Sequence, residues 1–269
     1  MRRGALHDPA NLDLAACMAL ARRSRLNLAA LLGMVVALAI PWQAAAQDVV
    51  RIEERQFRAG AGRITFAEVP EGTPNPVYPP ERYGGDAGSP TVRFAGLFQG
   101  RRIATAQECP PGAVRTGCLG GAARAPLALD AASPPVATIQ SNDRSINNAI
   151  ALGGTPTWNG PVAIWFDRDV AAVGLHAIGL DALGGTAITV YDRQGRSLGR
   201  TVNRAMPVDF IGLATADLSA RIAGLEFHLV GPEPAGFGVK NIRFGTPQQV
   251  DLPGVVPPPP ATRRAPVLP

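Results

Sequence analysis

Short runs of alternating or apolar residues, bounded by Gly, Pro, Asn and Asp, recur about every ten to fifteen residues along much of the chain. No 3.6-residue period follows residue 46. The runs are "RITFAEV", "TVRFAGLF", "VAIWF", "AAVGLHAI", "TAITVYD", "DFIGLA", "RIAGLEFHLV" and "FGVKNIRF". Alternation of period two is what a strand with one buried face requires, so each run predicts a β-strand. The segments between them carry turn chemistry. "DRQG" after Tyr191 puts Gly195 where a hairpin wants a left-handed residue, and "LGGT" at 183–186 suits a hairpin in the same way. The pattern predicts an all-β fold, an antiparallel β-sandwich.

The phase of each run predicts which side chains turn inward. In "AITVYDRQGRSLG", Ile188 and Val190 share one face, as in an exposed hairpin of a half-buried sheet. In "RIAGLEFHLV", Leu225, Phe227 and Leu229 share one face while Ile222, Gly224, Glu226 and His228 share the other, which puts Glu226 and His228 outward. In "GFGVKNIRFG" the apolar parity changes between Val239 and Ile242, predicting a bulge near Lys240 and Asn241.

The first 46 of the 269 residues have a different character. A basic cluster, an apolar stretch from Leu28 to Ile40 and small residues at Ala44 to Ala46 have the layout of an export signal, with the mature chain starting at Gln47. The apolar stretch is shorter than the roughly 20 residues that span a bilayer, so no transmembrane anchor is expected after cleavage. Arg25 stands where a twin-arginine signal usually has an apolar residue, which favours general secretion over the twin-arginine route. Asp8 and Asp13 precede the basic cluster, making Met18 an alternative start to Met1. A secreted or periplasmic location follows.

The formal net charge is +5, and the leader contributes five arginines against two acids, so the remainder is close to balance. That argues against nucleic acid as a partner. After the leader only Cys109 and Cys118 remain, bracketing "CPPGAVRTGC", and they predict a disulfide suited to an oxidising compartment. The spacing is too wide for a CxxC redox or metal pair. Residues 47–250 are expected to form the sandwich, with Pro- and Gly-rich excursions at 71–90 and a polar loop at 140–149. Residues 251–269, "DLPGVVPPPPATRRAPVLP", are expected to be a disordered, Pro-rich tail.

Four stretches, "FDRDVAAVGLHAIGL", "AITVYDRQGRSLG", "FIGLATADLSARIAGLEF" and "GFGVKNIRFG", follow one another as strand, hairpin, strand and closing strand. In this they resemble the jelly-roll-like β-sandwich domain of secreted bacterial PEP-CTERM-type proteins, similar in shape to carbohydrate-binding modules. Upstream, "ITFAEVPEGT", "VYPPERYGG" and "VRFAG" are similar to the opening strand and first long loop. The tail lacks the apolar span and terminal basic cluster of the sorting signal, so a soluble product is implied. The resemblance also implies a carboxylate in the closing strand, where it can hold a structural calcium. Here that place is taken by Lys240, the only lysine of the chain. An ammonium there disfavours calcium, which wants six to eight oxygen ligands. An ion pair from Lys240 to a neighbour such as Glu68 is the expected substitute.

Enzyme motifs are absent: no HExxH, GxSxG, Walker A or GxGxxG occurs. His176 and His228 are expected to be partly exposed strand residues. Asp167 and Asp169 suit local hydrogen bonding at a strand end or turn better than a catalytic pair. Glu68, Asp181 and Asp192 are the carboxylates available to a calcium site. Glycan sites on sandwiches use exposed aromatics with polar neighbours, which selects Tyr78, Tyr83, Asn142, Asp143, Trp158 and Asn159 as ligand-binding candidates. Asn147 is a further polar candidate. Trp158 is expected in a turn and Trp165 in the core. The expected function is a non-catalytic binding module at the cell envelope, its partner a glycan or an envelope protein. The alternatives are a secreted lyase or hydrolase on the same sandwich, and a purely structural envelope protein.

Overall fold

The computed structural model describes residues 48–140, 149–234 and 236–259. The expected signal segment, Asn142, Asp143, Asn147 and the last ten residues of the tail lie outside the described residues.

The strands form two antiparallel sheets that face each other. The first runs β1 (Val49–Ile52), β13 (Val208–Thr215), β10 (Ala172–Ile178), β15 (Gly238–Gly245), β8 (Ile150–Gly153) and β7 (Ala137–Gln140), with β2 (Gly62–Ile64) also paired to β15. The second runs β12 (Ser197–Val202), β11 (Thr186–Tyr191), β14 (Ile222–Leu229), β9 (Val162–Val170), β4 (Val92–Ala95) and β3 (Val77–Tyr78). Val173, Leu175, Ile211 and Ile242 from one sheet meet Ile164, Ile188, Leu225 and Phe227 from the other in a single buried cluster. The all-β antiparallel sandwich predicted from period-two alternation is therefore present.

From β9 to β15 the chain alternates between the sheets, except at the β11–β12 hairpin. That hairpin turns on Gly195, at φ 74°, while Asp192 accepts hydrogen bonds from the Gln194 and Arg196 amides. "LGGT" behaves differently from expectation. Gly184 is left-handed, at φ 71°, but the segment carries the chain from β10 in the first sheet to β11 in the second. Left-handed glycine specifies a turn and leaves open which sheet the next strand joins.

The closing strand bulges where its parity changes. Ile242 pairs with Leu175 and Lys240 with His176, leaving Asn241 as the extra residue at φ 46°. Phe237, Val239, Ile242 and Phe244 all reach the core as a result. By contrast "RITFAEV" is a strand only as far as Ile64, because Phe66 turns left-handed at φ 65° and Glu68 binds back to the Thr65 amide and hydroxyl.

Both outer faces are partly covered. On the first sheet, Ile52, Ala172 and Ala214 are packed beneath Phe57 and Val250, with Leu252 and Val255 against them. The start of the expected tail thus has no regular secondary structure but does have contacts, including Gln248 Nε2 donating to Pro258 O at 2.8 Å. On the second sheet a small hairpin, β5 (Arg101–Ile103) with β6 (Leu119–Gly121), carries Arg101 to the outer face. The Cys109–Cys118 disulfide closes the loop between its strands, with a Cα separation of 5.5 Å, and Cys118 bridges to Leu229 at the end of β14.

Candidate functional site

Strand register places a polar group on the outer face of the second sheet. Arg200 of β12 stands opposite Thr189 of β11, and Thr189 opposite Glu226 of β14. Ser197 stands opposite Tyr191 in the neighbouring row because Leu198 is accommodated by a register shift. That shift sends Leu198 to the core and keeps Ser197 and Arg200 on the outer side with their partners.

Arg101 comes down onto this face from the hairpin above it. Its Nε donates to Glu226 Oε2 at 2.9 Å and Oε1 at 3.2 Å, and its Nη2 donates to the Tyr191 hydroxyl at 3.0 Å. Tyr191 in turn donates to Glu226 Oε2 at 2.6 Å. Glu226 has no exposed surface, so this carboxylate is held by hydrogen bonds that replace those of water. Burial works against the Arg101 charge, but the hydrogen bond and charge of Glu226 outweigh it and raise the guanidinium pKa. Burial, followed by the Glu226 charge, pushes the Tyr191 phenol up as well.

His228 lies beside them, 6 % exposed. Its Nδ1 is 3.2 Å from the Leu229 carbonyl, which only accepts, so Nδ1 carries the proton. Nε2 is therefore the acceptor for the Thr189 hydroxyl at 2.9 Å. Burial pushes the His228 pKa down to about 4, more than the Glu226 charge lifts it, and the imidazole is neutral at pH 7.

Between the hairpin and the sheet is a cavity of about 400 Å³, lined by polar groups of Arg101, Thr189, Tyr191, Ser197, Arg200 and His228 and by the apolar surface of Leu119, Ala122 and Ala123. A second cavity of about 280 Å³, lined by Arg51, Thr201 and Arg204, shares Arg200 with it. Among the described residues no carboxylate lines either one.

The expectation that Glu226 and His228 face solvent is corrected by this geometry. They do point away from the core, but the hairpin and Arg101 cover them, and β11 is buried along its whole length for the same reason. Ile222 also departs from its expected face, because a register shift between Ile222 and Gly224 returns it to the core. Trp165, expected in the core, lies half-buried on the outer face, with Nε1 donating to Leu127 O and Arg193 5.3 Å from its ring centre.

The sequence-selected ligand residues do not converge. Tyr78 is fully buried, its ring edge-on to Phe66 and Phe94, which corrects its reading as an exposed aromatic. Tyr83 is half-buried, packs on Phe244 and donates to Pro90 O. Trp158 is in the expected turn, half-buried against Gly238, and Asn159 Oδ1 accepts from the Gly236 amide. Phe244 and Gly238 lie near opposite ends of β15, which separates the two pairs.

Asp167 binds the Thr91 amide and Asp169 pairs with Arg193, both near the end of β9. Glu68, Asp181 and Asp192 do not gather, and among the described residues no three His, Cys, Asp or Glu side chains are grouped for a metal. No ion pair joins Lys240 to Glu68 among the described residues. Lys240 stands opposite His176, whose Nε2 is 3.3 Å from Glu54 Oε2. Burial chiefly, with Lys240 adding to it, lowers the His176 pKa against the pull of Glu54.

Sequence reasoning passed over Arg101, Thr189, Tyr191, Arg200 and Glu226 as site residues. The available signal was the pair Glu226 and His228, spaced by two within an apolar strand, next to a second strand carrying Thr189 and Tyr191 at the same spacing. Among the described residues no helix is long and apolar enough to cross a membrane. The sequence matches no protein-family model and no curated protein.

Proposed function

We propose that this protein is a non-catalytic glycan-binding module of the cell envelope, secreted or periplasmic, and that its ligand occupies the cavity beneath the β5–β6 hairpin. The observation that carries this reading is the cavity itself. Hydroxyl, imidazole and guanidinium groups from three strands and the hairpin converge there over a small apolar surface. Its volume falls within the roughly 300–1,000 Å³ usual for ligand sites, and sugars match a lining that mixes hydrogen-bonding groups with apolar patches. The likeness of the strand motifs to carbohydrate-binding-module-shaped sandwiches points the same way.

Binding is favoured over hydrolysis by the state of Glu226. Glycoside hydrolysis ordinarily needs two carboxylates across a cleft. Glu226, the carboxylate beneath this face, is fully buried, engaged by Arg101 and Tyr191, and absent from the cavity lining, and Glu108 in the adjoining cavity is paired with Arg102.

The test is a glycan array probed with the full chain and with Ser197→Trp, a substitution at an exposed residue of the cavity rim. Retained glycans on the native chain, lost in the variant at unchanged melting temperature, support the reading. Chelation of calcium should leave binding intact. An array with no retained glycan overturns the reading, and release of new reducing or unsaturated ends from a bound glycan replaces it with an enzyme.

A further inference from the structure

We infer that the ligand of this cavity is an acidic glycan, a chain of uronate residues, with Arg200 holding a carboxylate. The inference rests on the reading of the cavity as a glycan site and adds its charge class. Near-balance of the chain after residue 46 conceals a local excess. Arg101 is compensated by Glu226 at 2.9 Å and Arg51 by Asp209 at 3.1 Å. Arg200 and Arg204 are exposed, and neither side chain makes a hydrogen bond or ion pair among the described residues. Among the described residues neither lining contains a carboxylate, and Glu108, which lines a third cavity with Arg200 and His228, is already paired with Arg102 at 2.6 Å. The guanidinium groups of Arg200 and Arg204 therefore make the potential of the two cavities positive.

Arg200 lines both cavities, and its charge acts on His228, helping to hold the imidazole neutral. An Arg fork matches a carboxylate through two parallel hydrogen bonds, which a compact ammonium does not reproduce. Arg204 lies in the second cavity, which shares Arg200 with the first, so each of the two guanidinium groups is open to an anion. A polymer with an acid on each sugar satisfies both.

An acidic peptide is the less suitable occupant. Peptides commonly add to an open sheet edge through main-chain bonds. Here β12 is such an edge, but Arg51 Nη1 already donates to Val202 O and Thr201 Oγ1.

Titration calorimetry of the full chain with oligogalacturonate, its methyl ester, a sulfated glycan and a poly-glutamate peptide tests the inference. The acid form should bind, and the ester should bind about tenfold or more weakly. Arg200→Gln should lose about tenfold or more of the affinity for the acid, with Arg200→Lys between the two because it keeps the charge but not the fork. Melting temperatures of both variants should match the native chain, since the exposed Arg200 side chain has no partner to lose among the described residues. Equal binding of acid and ester, with Arg200→Gln unaffected but Ser197→Trp abolishing it, overturns the acidic class and leaves the glycan site standing. Tighter binding of the sulfated glycan or the peptide also overturns it. Silence toward every glycan, neutral or acidic, overturns both readings.

Discussion

Arg101 and Glu226 form an ion pair at 2.9 Å in which the carboxylate has no exposed surface and the guanidinium side chain is 13 % exposed. Leaving one member of such a pair without the other strands a charge in low dielectric. Arg101→Ala should therefore destabilise the protein by about 3–5 kcal/mol, whereas Arg101→Met combined with Glu226→Met should cost far less. Denaturant unfolding of the three chains measures this, and equal losses in the single and double variants would contradict it.

His228 makes stability depend on pH. Its folded pKa is about 4 against an ordinary 6.5. Between those values the unfolded chain takes up a proton that the folded chain refuses, so stability is full above about pH 6.5 and falls as pH drops towards 4. At roughly 1.4 kcal/mol per pH unit the loss is on the order of 3 kcal/mol. Arg101 and Arg200 oppose protonation and Glu226 favours it. His176, whose pKa is also lowered, contributes in the same direction. Melting temperature measured from pH 7.5 to 4 should decline, and His228→Asn should flatten most of the slope.

The disulfide ties the hairpin that roofs the cavity. Replacing Cys109 and Cys118 with serine releases a short loop, for which the chain-entropy argument gives about 2–3 kcal/mol of lost stability. Binding in the cavity should weaken as well, because Arg101 and Leu119 belong to the released hairpin. Unchanged affinity in the serine variant would separate the roof from the site.

Backbone positions flanking the closing-strand bulge discriminate local strain from packing. Asn241 sits at φ 46°, so Asn241→Gly should be nearly neutral and Asn241→Val should cost about 1–3 kcal/mol. A Cβ on Gly238 would lie 2.3 Å from Trp158 Cζ3, so Gly238→Ala should cost about 1–3 kcal/mol through displacement of the ring. Chemical denaturation followed by Trp fluorescence reports both.

The legible part of the fold is the part written in local periodicity. Val239 and Ile242 break parity, and the bulge at Asn241 follows because only an extra residue restores both to one face. Gly195 after "DRQ" makes a hairpin for equally local reasons. Gly184 shows where such reasoning stops, since the same conformation there serves a crossing between sheets. Tyr78 and Trp158 stand in turn-rich segments that predict exposed aromatics, yet both pack against the fold, because local sequence says nothing about which segment folds over a ring.

By itself the sequence determined the strands β4, β9 to β11 and β13 to β15, the Cys109–Cys118 pair and the bulge, since each depends on residues close together in the chain, whereas β1, β3, β7 and β8 carry no such run. Only tertiary structure decided the candidate site. Arg101 and Glu226 are 125 positions apart, and nothing in either neighbourhood specifies that a disulfide-tied hairpin will lie across β14. Burial turned an apparently outward Glu and His into a locked carboxylate and a neutral imidazole. The same fold left Arg200 exposed beside them, without a side-chain partner among the described residues.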